Sequence, residues 1–173
     1  MKNYIKYVLV LLAFMVVSFS SWGQRLDPKY ETIFIYQITK YIEWPADMNT
    51  FVISVVGNED DPIVKELRKM TAVKKVMGKT MSVKVFKNAS EVTDSRMIFV
   101  TYKNSASIPT IAGKLTGKKT ILLAEKAGMA KQGAAINFIN KGGKMKFELN
   151  KGTVTKVGLK VSSSLEKLAI LIS

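Results

Sequence analysis

The run Phe51-Val52-Ile53-Ser54-Val55-Val56, closed by Gly57-Asn58, constrains the fold more than any other stretch of the chain. Six residues this rich in β-branched side chains have the length and composition of a buried strand. A helix start lies on either side of it. Asp27-Pro28 and Asp61-Pro62 each combine an N-cap residue with a first-turn proline, whose fixed φ suits the helix and whose missing N–H is not needed there. After the first pair, Tyr30, Ile33, Phe34, Ile38, Tyr41 and Ile42 recur at helical spacing, which predicts an amphipathic helix over 28–43. Trp44-Pro45 ends it, because proline disfavours helical geometry in the residue before it. After the second pair, a helix is expected through about Met70.

Strands are expected at 81–86, 97–102 and 120–124, with a short helix or turn around Glu91-Val92. A third helix starts at Ser107 and Pro109 and runs to about Leu115. Helix, strand, helix, strand, strand, helix, strand is the rhythm of an α/β sheet with covering helices. Beyond it, the alternating runs 135–139 and 145–149 flank Asn140-Lys141-Gly142-Gly143, a hairpin signal because Asn and Gly tolerate positive φ. Residues 150–158 read as a short helix or turn. Ser162 or Ser163 then caps a last helix with Leu165, Leu168, Ala169 and Ile172 on its apolar face. The expected architecture is a single α/β domain: a mixed, mostly parallel β-sheet flanked by helices, with a C-terminal β-hairpin and a final helix.

The first 23 residues follow the plan of a secretory signal peptide. Lys2 and Lys6 precede an apolar core at 8–17, and small Ser21 and Gly23 place the cut after Gly23. A membrane-spanning helix needs about 20 apolar residues, twice what this core offers. Cleavage of 23 from 173 residues leaves 150, residues 24–173, a usual size for one domain. The removed piece carries two lysines and no acid, so the formal charge of +14 becomes +12. With no cysteine, neither a lipoprotein anchor nor a disulfide is available, and a bacterial periplasmic location is expected.

Positive charge is densest at 65–87, where eight Lys and Arg, Lys74 and Lys75 among them, accompany the single acid Glu66. Export argues against nucleic acid as the ligand. The block reads first as a solvated lysine face; contact with anionic phospholipid or an acidic protein partner is the alternative.

Histidine and cysteine are both absent, which excludes Ser-His-Asp and Cys-His nucleophiles, the usual zinc sites, haem attachment and thiol redox work. Ser164 and Lys167 have S-x-x-K spacing, but they stand at a helix start with no K-T-G downstream, so capping explains them. Gly78-Lys79-Thr80 resembles the end of a phosphate loop, yet position 73 is valine where that loop needs glycine. Glu59, Asp60 and Asp61 lack the alternating ligands of a calcium loop. No catalytic residue, cofactor or metal site is expected, and the protein is read as a non-enzyme.

Taken in order, the segments 34–45 (FIYQITKYIEWP), 51–57 (FVISVVG), Gly78-Lys79, 135–138 (AINF), 147–150 (FELN) and 159–169 (LKVSSSLEKLA) resemble the YfiR-like family of bacterial periplasmic regulators. The resemblance covers about residues 29–172. It implies a regulator that binds, and inhibits, the sensory domain of an inner-membrane signalling protein such as a diguanylate cyclase or a sensor kinase. Members of that family often carry cysteines, and this chain has none, so redox sensing is not carried over. The alternative is a periplasmic small-molecule binder using the cleft at the end of the first strand. Candidate partner or ligand contacts are Trp44, Gly57, Asn58, Asn137, Lys74 and Lys75. For Trp44 a structural role at the helix–strand hinge is preferred, its indole N–H needing one partner. Gly57-Asn58 stands at the carboxyl edge where open α/β sheets usually bind ligands. A homodimer is left open.

Overall fold

A computed structural model describes residues 26–172; the signal peptide and its cut after Gly23 lie outside the described residues. The first helix, α1 (Pro28–Thr39), begins as its Asp-Pro pair dictates, with the Asp27 carboxylate accepting from Lys29 N at 2.9 Å. It ends four residues before the expected 43. Residues 41–43 leave the helix to pair with the distant segment 160–162. Ile42 bridges Val161, Ser162 N donates to Tyr41 O at 2.8 Å, and Glu43 N donates to Lys160 O. A long-range bridge has overridden the local periodicity.

The central strand β1 (Thr50–Val56) is followed by α2 (Pro62–Val73) and a hairpin of β2 (Lys75–Val76) with β3 (Lys79–Phe86). The two strands are joined by Met77 and Gly78, both left-handed at φ +50° and +75°. That is the two-residue turn whose twist matches a hairpin, and it gives Gly78-Lys79-Thr80 a purely architectural meaning. Then come β4 (Met97–Val100), a 3-10 segment (Tyr102–Ser107), α3 (Ile108–Lys114), β5 (Ile121–Ala124), β6 (Ile136–Lys141), β7 (Lys144–Asn150) and α4 (Lys151–Lys156). The chain closes with α5 (Ser163–Leu168) and β8 (Ile170–Ile172).

The expected last helix through Ile172 is therefore corrected. Leu165 is buried, but Leu168 is 67% exposed and Ala169 is already extended. Residues 170–172 pair in parallel with Glu148–Asn150 of β7. Covering the outer edge of β7 satisfies a row of backbone groups that three more helical residues would have left open.

All eight strands form one sheet in the order β2-β3-β1-β4-β5-β6-β7-β8. From β3 to β6 every neighbour is parallel, with β1 between β3 and β4. This single-domain, mostly parallel α/β sheet with its β6–β7 hairpin matches the expected class. Side chains alternate between the faces. Phe51 meets Trp44 edge-on at 4.9 Å, and Phe147 meets Phe34 of α1 at 6.5 Å, so α1 covers one face, with α2 packed beside it. Ile98, out of phase with Met97 and Phe99, turns instead toward Ile111 and Leu115, which puts α3 on the other face. Sandwiched strands explain why β1, β4 and β5 read as continuous apolar runs.

Candidate functional site

Strand order reverses at β1 and β4, because the chain leaves β1 toward β3 and then crosses back to β4. The carboxyl ends of these two strands, Gly57 and Thr101, mark the topological switch point, where doubly wound sheets place ligands. Here that crevice is filled by the chain itself. A Cβ on Gly57 would stand 2.6 Å from Asp61 Oδ2 and 2.8 Å from Thr101 Cγ2. Thr101 N and its hydroxyl both donate to Val56 O at 3.2 Å, and Asn104 Nδ2 donates to the Thr101 hydroxyl at 2.8 Å. The Asp61 carboxylate accepts from Asn58 N at 2.7 Å. Asp61 stands at the N-cap position of α2, but its carboxylate turns back to the preceding loop and makes no cap bond to the helix, so the side-chain capping expected for it is corrected. Asn58 itself is exposed on the rim.

The remaining candidates do not gather here. Trp44 is buried beside Phe51, near the opposite end of β1, and its Nε1 donates to Thr39 O at 2.8 Å. Six residue steps of strand separate Phe51 from Gly57, roughly 20 Å. Asn137 is fully buried on β6, across from Ala124 of β5 and Glu148 of β7, and its Nδ2 donates to Glu148 Oε2 at 2.9 Å. Its Oδ1 has no hydrogen-bond partner among the described residues. Three strand spacings, about 14 Å, separate β6 from β1.

Lys74 and Lys75 lie at the other edge of the sheet, where α2 passes into β2. The Lys74 ammonium is 5.6 Å and that of Lys40 4.8 Å from the centre of the Tyr36 ring. The Tyr36 hydroxyl donates to Lys75 O at 3.5 Å. The two ammonium groups make cation–π contacts with this ring at an exposed surface. Beside it, Val73 is 76% and Met77 57% exposed, and Ile33, one helical turn before Tyr36, is also exposed.

Sequence reasoning missed an open groove of about 400 Å³ at the amino ends of β4 and β5, beneath α3. Its apolar wall is Ile98, Ile111 and Leu115, and its charged side chains are Asp94, Arg96, Lys114 and Lys118. The back is tied by hydroxyls: Ser95 Oγ donates to Thr93 O at 2.8 Å, so Ser54 donates to Ser95 Oγ across 2.5 Å. Thr120 Oγ1 donates to Ser95 O at 2.5 Å. The short Asp94-Ser95-Arg96 stretch before an apolar strand was the one local signal, but the groove needs α3 folded over it.

Three comparisons with known proteins bear on the chain. A family model described as DUF4154, YfiR/HmsC-like, matches residues 28–170. No curated protein matches it. Among solved structures it is similar to the ABC domain in complex with L-Trp from Streptococcus pneumoniae, with a TM-score of 0.57 at 13% identity over 84% of this chain. It is also similar to a conserved domain protein from Vibrio cholerae O1 biovar El Tor, with a TM-score of 0.59 at 13% identity over 85% of this chain. The chain spans 60% of the length of each of these two. At such identity they show a shared α/β fold.

Proposed function

The chain belongs to the YfiR/HmsC-like family, a family of periplasmic regulators, and from that membership we propose that it is a non-enzymatic regulator binding the periplasmic sensory domain of an inner-membrane signalling protein and inhibiting it. The carrying observation is the family match over 28–170, which takes in every described element except the end of β8. The partner is an inner-membrane protein of the diguanylate cyclase or sensor kinase type. Among the described residues no helix is long and apolar enough to cross a membrane, which suits a protein that meets its partner outside the bilayer.

The surface assigned to the partner is the corner built by α1, the end of α2 and the β2–β3 turn. It combines exposed Val73 and Met77 with Lys40 and Lys74 over the Tyr36 ring and with Lys75, whose main-chain oxygen the Tyr36 hydroxyl meets. An apolar centre edged by cations fits an acidic protein surface, where rim charges act mainly on the association rate. The reading with a small molecule held at Gly57-Asn58 is less favoured, because Thr101 and Asp61 occupy that space.

The test is a pull-down from solubilised membranes of the native host, using protein exported on its own leader, recovered by osmotic shock and beginning at Gln24. Mass spectrometry is expected to find an integral-membrane signalling protein, depleted when K74E/K75E is the bait. Recovery of no membrane protein above an empty control would remove the proposal.

A further inference from the structure

The groove under α3 has the size of a ligand site and a charge that the protein leaves unanswered. Its 400 Å³ falls within the usual range for small-molecule pockets, with apolar Ile98, Ile111 and Leu115 sharing the lining with more numerous polar and charged residues. Arg96, Lys114 and Lys118 against Asp94 leave a formal excess of two positive charges in the lining. Among the described residues Arg68 pairs with Glu59 at 2.6 Å, Lys69 with Glu66 at 2.6 Å and Lys151 with Glu166 at 2.9 Å, while most surface lysines enter no ion pair. The groove's three cations enter no ion pair among the described residues.

The back wall is rigid. Arg96 N donates to Val52 O at 2.9 Å and Arg96 O accepts from Ile121 N at 3.0 Å, so Arg96 is held between two strands. Ser95 and Thr120, both nearly fully buried, lock the residues beside it through the hydroxyl bonds described above. The held backbone fixes where the Arg96 side chain leaves the sheet, and Lys114 and Lys118 stand exposed in the lining beside it. Ile98, Ile111 and Leu115 supply an apolar surface next to them.

We propose that this groove is a binding site for a small organic dianion, a phosphate monoester or a dicarboxylate, whose charged groups meet Arg96, Lys114 and Lys118 while its carbon skeleton lies on Ile98, Ile111 and Leu115. The switch-point crevice being closed by Thr101, the ligand site of this sheet lies at the amino ends of β4 and β5 instead. The site stands on geometry independent of the partner surface around Tyr36, which lies on the other side of the sheet.

The test is isothermal titration calorimetry of the mature protein with phenyl phosphate, suberate, inorganic phosphate and benzyl alcohol. Saturable binding is expected for phenyl phosphate, for suberate, or for both, and the preferred probe tells phosphate from dicarboxylate chemistry. R96Q and K114Q should each weaken binding about fivefold, and D94N should strengthen it, because each changes one charge facing the ligand. K144Q, exposed at the start of β7 and outside the groove, should leave it unchanged. Melting curves of the variants confirm that they fold. The proposal is overturned if neither dianion binds saturably, if inorganic phosphate or benzyl alcohol binds as well as the organic dianions, or if R96Q and D94N both leave affinity unaltered.

Discussion

The indole nitrogen of Trp44 donates to the main-chain oxygen of Thr39, at 2.8 Å, and so ties off the last turn of α1. Thr39 is the final residue of that helix, so its carbonyl has no intrahelical partner, and a buried orphan carbonyl is costly. The same indole lies edge-on to Phe51 at the start of β1. One side chain thus caps a helix, fills the core and links the helix to the central strand.

Trp44→Ala is accordingly expected to destabilise the fold by about 3–5 kcal/mol, as large aromatic truncations in cores do. Trp44→Phe keeps much of the volume and loses the hydrogen bond, for a smaller loss of about 1–2 kcal/mol. Urea denaturation of both variants checks the order. Wild-type stability for Trp44→Ala together with lost partner binding would make Trp44 a surface contact after all.

Gly57→Ala is expected to cost about 1–3 kcal/mol, since its new methyl collides with Thr101 Cγ2 and Asp61 Oδ2. Thr101→Ser removes the first of these atoms and keeps the hydroxyl that bonds Val56 O. The double variant should therefore be more stable than the two single effects summed, a coupling that a double-mutant cycle reads directly. Simple additivity would mean that the crevice is looser than described.

Met77 holds φ +50° in the β2–β3 turn, a conformation that suits Asn or Gly better than an unbranched apolar side chain. Met77→Asn creates the favoured Asn-Gly turn and should stabilise by about 0.5–1 kcal/mol. Because Met77 is also an exposed member of the proposed partner surface, the variant is scored twice, by melting and by association. A fall in melting temperature would contradict the turn assignment.

Reversal of Lys74 and Lys75 to glutamate should slow association with the partner several-fold and flatten its salt dependence. The effect on stability should stay within about 1 kcal/mol, because the lysine over Tyr36 is exposed and Lys40 remains on the ring. Surface plasmon resonance at two salt concentrations measures the first, thermal melting the second. Association indifferent to both salt and reversal would return the block to a plain solvated face.

Much of this fold is local, and local features are legible in a sequence. Asp27-Pro28 and Asp61-Pro62 open helices because a proline's φ, joined at Asp27 by a side-chain cap, acts within one turn. Phe51 to Val56 is a strand because its β-branched side chains suit a buried pleat. Gly142 and Gly143, both at positive φ, turn a hairpin for backbone reasons alone. Pairing between distant segments decided the rest. Ile42 left its helix for Val161, and Ile170 became a strand because β7 offered an open edge. Strand order set the fate of the candidate residues, since it put Asn137 three strands away from Gly57 and set Thr101 against it. The groove belongs wholly to this second class: Arg96, Lys114 and Thr120 lie on separate elements and meet only when α3 closes over β4. No periodicity within a single element encodes a cavity between elements, because its walls are fixed by packing across the fold.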